Sequence, residues 1–166
     1  MPVICRLLKL SREQAVALIE SSENLQAAIE SCDTYSDVYR YWHAIQFLLS
    51  RHRPQATGVR WLESGKTVSA TLGEIPASRV LLPEEVKTIA SETDDIAPED
   101  LGSHYEASAL DDAQVYPACW QEWEETFDPL GQILEHYHFL RQFVASRASA
   151  GDAILLHFEY LDDGSV

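Results

Sequence analysis

The stretch DPLGQILEHYHFLRQFVASRASAGDAILLHFEY, residues 128–160, holds a long helix and a strand in one run. Asp128 offers a side-chain acceptor to the free N–H groups of a helix start. Pro129 brings its fixed φ to the first helical position, where a missing N–H costs nothing. Gly151 suits the left-handed residue that closes such a helix. Between them Leu130, Ile133, Leu134, Tyr137, Leu140 and Val144 recur at the spacing of one helical face. Ala153 to Tyr160 then reads as a strand whose first residues are apolar on both faces, which puts it inside a sheet. The chain therefore combines a helical layer with a sheet.

Outward from this core, Pro2 to Leu10 reads as a second strand with Val3, Ile4, Leu7, Leu8 and Leu10 as apolar bulk. Ser11 and Gln14 stand at capping-box spacing and start a helix whose buried face is Ala15, Leu18 and Ile19. A short helix is expected over Asn24 to Glu30. Ser36 to Arg51 carries the strongest helical stripe of the first half: Val38, Tyr41, Trp42, Ile45, Leu48 and Leu49. Arg51, His52, Arg53 and Pro54 mark its end. Thr57 to Glu63 and Lys66 to Gly73 read as two strands joined by a Ser64-Gly65 turn, with Thr67, Ser69 and Thr71 alternating against Val68, Ala70 and Leu72. Arg79 to Leu82 leads into a helix that starts at Pro83. Ser91 to Asp112 is read as short helices and loops, and Asp162-Asp163-Gly164 as a frayed tail.

A chain of 166 residues suits one domain, residues 1–166, and its 46% hydrophobic content supports a real core. No apolar run approaches the ~20 residues of a membrane span, and the first residues lack a leader pattern, so a cytoplasmic location is expected. Cys5, Cys32 and Cys119 are too few and too scattered for a disulfide framework or a zinc knuckle. Cys119, between Pro117 and Trp120, is the one with a distinctive setting. The net charge is −15 and unevenly placed: residues 88–140 contain no Lys or Arg but 13 Asp and Glu. Such a surface repels phosphate backbones and anionic lipid, so neither nucleic acid nor a membrane is expected as partner. A basic protein would be attracted and steered.

Four segments carry a family resemblance. Trp42-His43-Ala44-Ile45-Gln46-Phe47-Leu48-Leu49 resembles the W-H-x-[IL]-x-F-L-L segment of the YfbM-like proteins, a bacterial domain family of unknown function. Arg79-Val80-Leu81-Leu82-Pro83-Glu84-Glu85-Val86 is similar to that family's A-R-x-L-x-P-E-E-V, and Val115-Tyr116-Pro117 with Trp120 to its I-Y-P-x-x-W. Ala150-Gly151-Asp152-Ala153-Ile154-Leu155-Leu156 resembles its closing A-x-x-G-[DN]-A-[VI]-L. The resemblance implies a single α+β domain, a mixed β-sheet with helices packed against it, and no known activity. Two departures stand out. Tyr39 and Arg40 occupy the place of a frequent Asp-Lys pair, and the short Glu74-Ile75-Pro76-Ala77-Ser78 replaces a Gly-rich stretch, which would reshape any pocket built on that loop.

Few residues suggest chemistry. Glu84 and Glu85 sit in a first helical turn, where the helix dipole accounts for them. His136 and His138 are two apart on a helix and diverge, so they lack the i, i+4 spacing of a metal pair; no metal and no cofactor are expected. There is no nucleophile elbow, Walker loop or dinucleotide fingerprint. Trp120, Glu122, Trp123, Glu124 and Glu125 read as an aromatic, acidic surface segment. Aromatic side chains are typical interface anchors, so the leading reading is a non-enzymatic interaction protein, of inhibitor or immunity type, that engages a basic partner. The alternative is a small-molecule-binding protein or enzyme with Arg79 as anion anchor, His43 as acid–base group and Tyr116 beside them. The sequence sets no oligomeric state.

Overall fold

The five strands of the computed structural model, which describes residues 1–162, form one sheet in the order β2-β1-β5-β4-β3. Of the expected tail, Asp163 and Gly164 lie outside the described residues. Strand β1 (Val3–Leu10) pairs over its whole length with β5 (Ala153–Tyr160), from Val3 opposite Tyr160 to Leu10 opposite Ala153. β2 (Tyr35–Tyr39) adds to the outer side of β1. β4 (Arg79–Leu81) adds to β5, and the two-residue β3 (Lys66–Thr67) to β4. The class is α+β as expected, but every pairing is antiparallel rather than mixed.

Helices cover both faces unequally. On one face α1 (Arg12–Glu20) and α2 (Leu25–Ser31) close a small core in which Ala15 and Leu18 meet Leu8, Leu10, Val80 and Leu155. The other face carries α3 (Trp42–His52), α4 (Pro83–Thr93), α5 (Pro98–Gly102), α6 (Ala107–Asp112), α7 (Trp120–Glu124) and α8 (Pro129–Ala150) over the larger core. Ala153, Ile154, Leu155 and Leu156 are wholly buried, which is why β5 reads as apolar on both sides. The capping box of Ser11 and Gln14, the Asp128 cap on α8 and the left-handed Gly151 at its end all form.

Three local expectations are corrected. The helix read from Ser36 begins only at Trp42, because residues 35–39 lie in β2. Val38 fits the helical stripe by spacing, yet it reaches the same core from a strand, so burial alone does not separate the two readings. The chain reverses at Tyr39, which takes φ 52°, an uncommon value for a residue with a side chain, while its N–H donates to Asp37 Oδ1 at 2.6 Å. The strand read over Thr57 to Glu63 is a 3-10 segment, Gly58–Glu63, and the strand read from Lys66 stops at Thr67. Its backbone groups find side chains instead of a neighbouring strand. Gly58 N–H donates to the Glu92 carboxylate, Leu62 N–H to Gln46 Oε1 at 2.7 Å, and the carbonyls of Glu63, Ser64 and Gly65 accept from Arg79. The expected hairpin at Ser64-Gly65 is therefore absent; β3 pairs with β4 across the long loop 68–78.

Candidate functional site

The acids of residues 88–140 divide into two groups. Five of the 13 hold the fold together. Glu92 caps Gly58 and Asp95 takes both guanidinium nitrogens of Arg53, at 2.9 and 3.0 Å. Asp100 accepts from Ala97 N–H and Asp128 from Gly131 N–H. Asp111 accepts from the N–H groups of Trp120 and Gln121, at 2.8 and 3.0 Å, which holds its carboxyl below the ordinary value. Glu122, Glu124, Glu125 and Glu135 remain on the exposed surface.

Trp123, in sequence among three of those glutamates, belongs to a chain of ring contacts that runs from the surface through the buried Tyr41. Phe127 lies 5.3 Å from Trp123 between centroids, Trp123 6.4 Å from Tyr41, Tyr41 4.9 Å from His136, and His136 6.2 Å from Phe139. Tyr39 stacks on His136 at 6.2 Å. Phe127 and Phe139 are exposed, at 40% and 43%, and Trp123 is half-buried. Arg40 lies over both Trp123 and Tyr39, its guanidinium carbon 5.1 and 4.9 Å from the ring centroids, so a cation from outside the acidic segment does enter this face.

Trp120 is not part of that surface. It is wholly buried, its indole N–H donating to Val115 O at 2.8 Å and its ring against Trp123 and Tyr41. The aromatic anchor expected there is thus a core residue, and Trp123 presents the surface that Trp120 cannot. Burial raises the pKa of the Cys119 thiol, and neighbouring carboxylates raise it further, the opposite of an activated thiol. The Glu84 carboxylate pairs with Arg12 of α1, and Glu85 accepts from Leu82 N–H at 2.8 Å at the start of α4, so both carboxylates have structural partners.

Arg79, His43 and Tyr116 are not joined in one cavity. His43 Nδ1 accepts from Tyr116 N–H at 3.0 Å, and the Tyr116 hydroxyl oxygen accepts from Val3 N–H at 2.6 Å. Trp42 stacks against both, at 5.4 Å from His43 and 5.2 Å from Tyr116. Arg79 lies instead in an open cleft of about 600 Å³ whose lining includes Trp42 but neither His43 nor Tyr116. Burial holds the His43 pKa below the ordinary histidine value. The unfolded chain takes up that proton near pH ~6.5, the folded chain only at lower pH. Acidification below about pH 6.5 therefore favours unfolding, and the stability tied to this group is lost as pH falls through the folded pKa. A His43→Asn variant, whose Oδ1 replaces the Nδ1 acceptor, should lose less stability between about pH 7 and 5 in urea titrations. Equal losses in both proteins would assign the acid sensitivity elsewhere, with His157, whose pKa burial also lowers, the first place to look.

Several residues of both regions escaped the sequence reading. Tyr39, Arg40, His136, Phe127 and Phe139 reach the aromatic strip from three separate segments, and no local pattern joins them. The alternation Thr67, Ser69, Thr71 was a usable signal: all three line the cleft.

Among the described residues no helix is long and apolar enough to cross a membrane, and no group of three or more His, Cys, Asp and Glu could hold a metal. The architecture defines an antiparallel α+β protein with an acidic aromatic face and an open cleft. The chain belongs to the family described as a domain of unknown function (DUF1877), whose model matches residues 1–157. Its fold is similar to that of YfbM from Escherichia coli, a protein of unknown function, with a TM-score of 0.62 at 13% identity over 92% of this chain and 98% of that one. The YfbM-like resemblance read from the sequence is borne out. No curated protein matches the chain.

Proposed function

We propose that this chain is a non-enzymatic interaction domain, of the kind an inhibitor or immunity protein represents, whose acidic aromatic face binds a basic protein partner. The observation that carries this reading is the exposed Phe127 and Phe139 and the half-buried Trp123, joined by ring contacts through His136 and the buried Tyr41, on segments that also expose Glu122, Glu124, Glu125 and Glu135. Exposed phenylalanines beside a half-buried tryptophan supply apolar area that gains from being covered. The glutamates select a cationic partner and speed its approach, an effect screened over ~10 Å at 0.1 M salt.

The test is retention of lysate proteins on the immobilised chain at about 50 and 500 mM salt. Wild type should retain a basic protein at the lower salt, and a variant with Glu122→Gln, Glu124→Gln and Glu125→Gln should bind it at least about tenfold more weakly. Phe127→Ala with Phe139→Ala should weaken the same complex at either salt. Binding indifferent to the glutamine substitutions would sink the proposal.

A further inference from the structure

Trp42 lines the open cleft, which neither His43 nor Tyr116 does, and the chemistry of the cleft differs from that of the acidic face. Trp42, Leu62 and Phe158 form its apolar part, with the Trp42 ring meeting Phe158 edge-on at 5.3 Å. Thr67, Ser69 and Arg79 contribute polar groups to the same lining. A volume of about 600 Å³ is within the range of small-molecule sites.

The hydrogen bonds decide which kind of ligand that lining suits. A guanidinium carries five N–H donors. Arg79 Nε donates to Ser64 O at 2.7 Å, Nη2 to Glu63 O and Gly65 O at 3.0 and 2.9 Å, and Nη1 to Thr67 Oγ1 at 3.0 Å. One N–H of Nη1 is left over. Every one of these acceptors is neutral, and among the described residues no carboxylate forms an ion pair with Arg79. Its charge is therefore held in place by carbonyls without being cancelled. Thr67 Oγ1 accepts from Arg79, and Ser69 Oγ accepts from Ser78 N–H at 2.7 Å. Each hydroxyl is engaged as an acceptor and keeps its own proton to give.

The geometry points to a binding site for a small amphiphilic anion, with its carboxylate or phosphate group on Arg79, Thr67 and Ser69 and its apolar body against Trp42 and Phe158. Charge-assisted hydrogen bonds to an oxyanion are the strong ones, and a guanidinium already fixed by its neighbours loses little freedom on binding. Glu74 shares the lining and opposes the anion, so its carboxylate limits affinity and turns a ligand's charged end away from the loop. The site is independent of the acidic face and stands or falls separately from it.

Phenyl phosphate and phenylacetate are suitable probes, with benzyl alcohol and benzylamine as the neutral and cationic controls. Titrations followed by amide and indole NMR shifts should show both anions perturbing Thr67, Ser69 and the Trp42 indole N–H, and the preferred headgroup separates the phosphate from the carboxylate class. Thr67→Val and Ser69→Ala should each weaken the anions about tenfold, about 1.4 kcal/mol. Glu74→Gln should tighten them several-fold, a gain that structural damage would not produce. Arg79→Ala removes the tether of the 63–65 turn along with the charge, so the hydroxyl and Glu74 variants carry the test. No anion-specific shift up to about 20 mM, equal binding of benzyl alcohol, or weaker binding in Glu74→Gln would overturn the assignment.

Discussion

Replacing Trp120 by alanine is expected to lower the unfolding free energy by about 3–5 kcal/mol, the usual cost of removing a buried tryptophan. The side chain is wholly buried, so deletion opens a cavity beneath α7 that Tyr41 and Trp123 line. It also leaves Val115 O without the indole donor that sits 2.8 Å away. Set against the ~5–15 kcal/mol of an ordinary domain, this is a large share of the total stability. A Trp120→Phe variant keeps most of the volume but not the N–H, and should lose about 1–3 kcal/mol. Urea titrations give both numbers from the shift in midpoint at constant slope. A loss below about 1 kcal/mol in the alanine variant would mean that Trp120 is not the support of this region.

Gly65→Ala is the second large effect, expected at about 2–5 kcal/mol. Gly65 has φ +77°, in the left-handed region, where a side chain costs about 1–3 kcal/mol. An added Cβ would also overlap the Val80 carbonyl oxygen and lie 2.9 Å from Leu81 Cδ2, contacts that force the turn away from β4. Moving it displaces the Gly65 carbonyl from Arg79 and the Lys66–Val80 pair that begins β3. Gly151 provides the control. It has φ +75°, yet nothing lies within 4 Å of its would-be Cβ, so Gly151→Ala should show only the backbone cost, about 1–3 kcal/mol, and less than Gly65→Ala. Similar losses at both glycines would show that the close approach to β4 contributes nothing.

The contrast between these positions also explains what the sequence could and could not convey. The strands β1 and β5, the caps of α1 and α8 and the proline start of α4 rest on local chemistry, and each is readable residue by residue. The segment 57–67 is different. Its conformation is set by Glu92, Gln46 and Arg79, side chains distant in sequence, so its own apolar alternation of Val59 and Trp61 suggests a strand that never forms. β2 is hidden for a related reason: Val38 serves a helical stripe and a strand equally well. At the acidic face the charge asymmetry was plain, but Trp120 and Trp123, three residues apart, look alike in sequence. Only the packing of α7 buries one wholly and leaves the other at the surface. The cleft was partly foreshadowed by Arg79 and by the alternating hydroxyls, though the role assigned to Arg79 changed from a free anchor to one fixed on three carbonyls.

The pairing of β1 with β5 has a further consequence for how the molecule comes into being. The two strands that share eight paired positions are drawn from opposite ends of the sequence, Val3 meeting Tyr160. A nascent chain carries β1 long before β5, so the edge of β1 that pairs with β5 has no partner until β5 emerges. The large core, which needs Ile154, Leu156 and Phe158, waits with it. Closing such a loop is entropically expensive before any sheet contact rewards it, and topologies of this kind fold more slowly than helical bundles of similar size. Until β5 is released, β1 can pair only with β2 and the larger core stays open, which makes that interval one of exposure to aggregation and proteolysis.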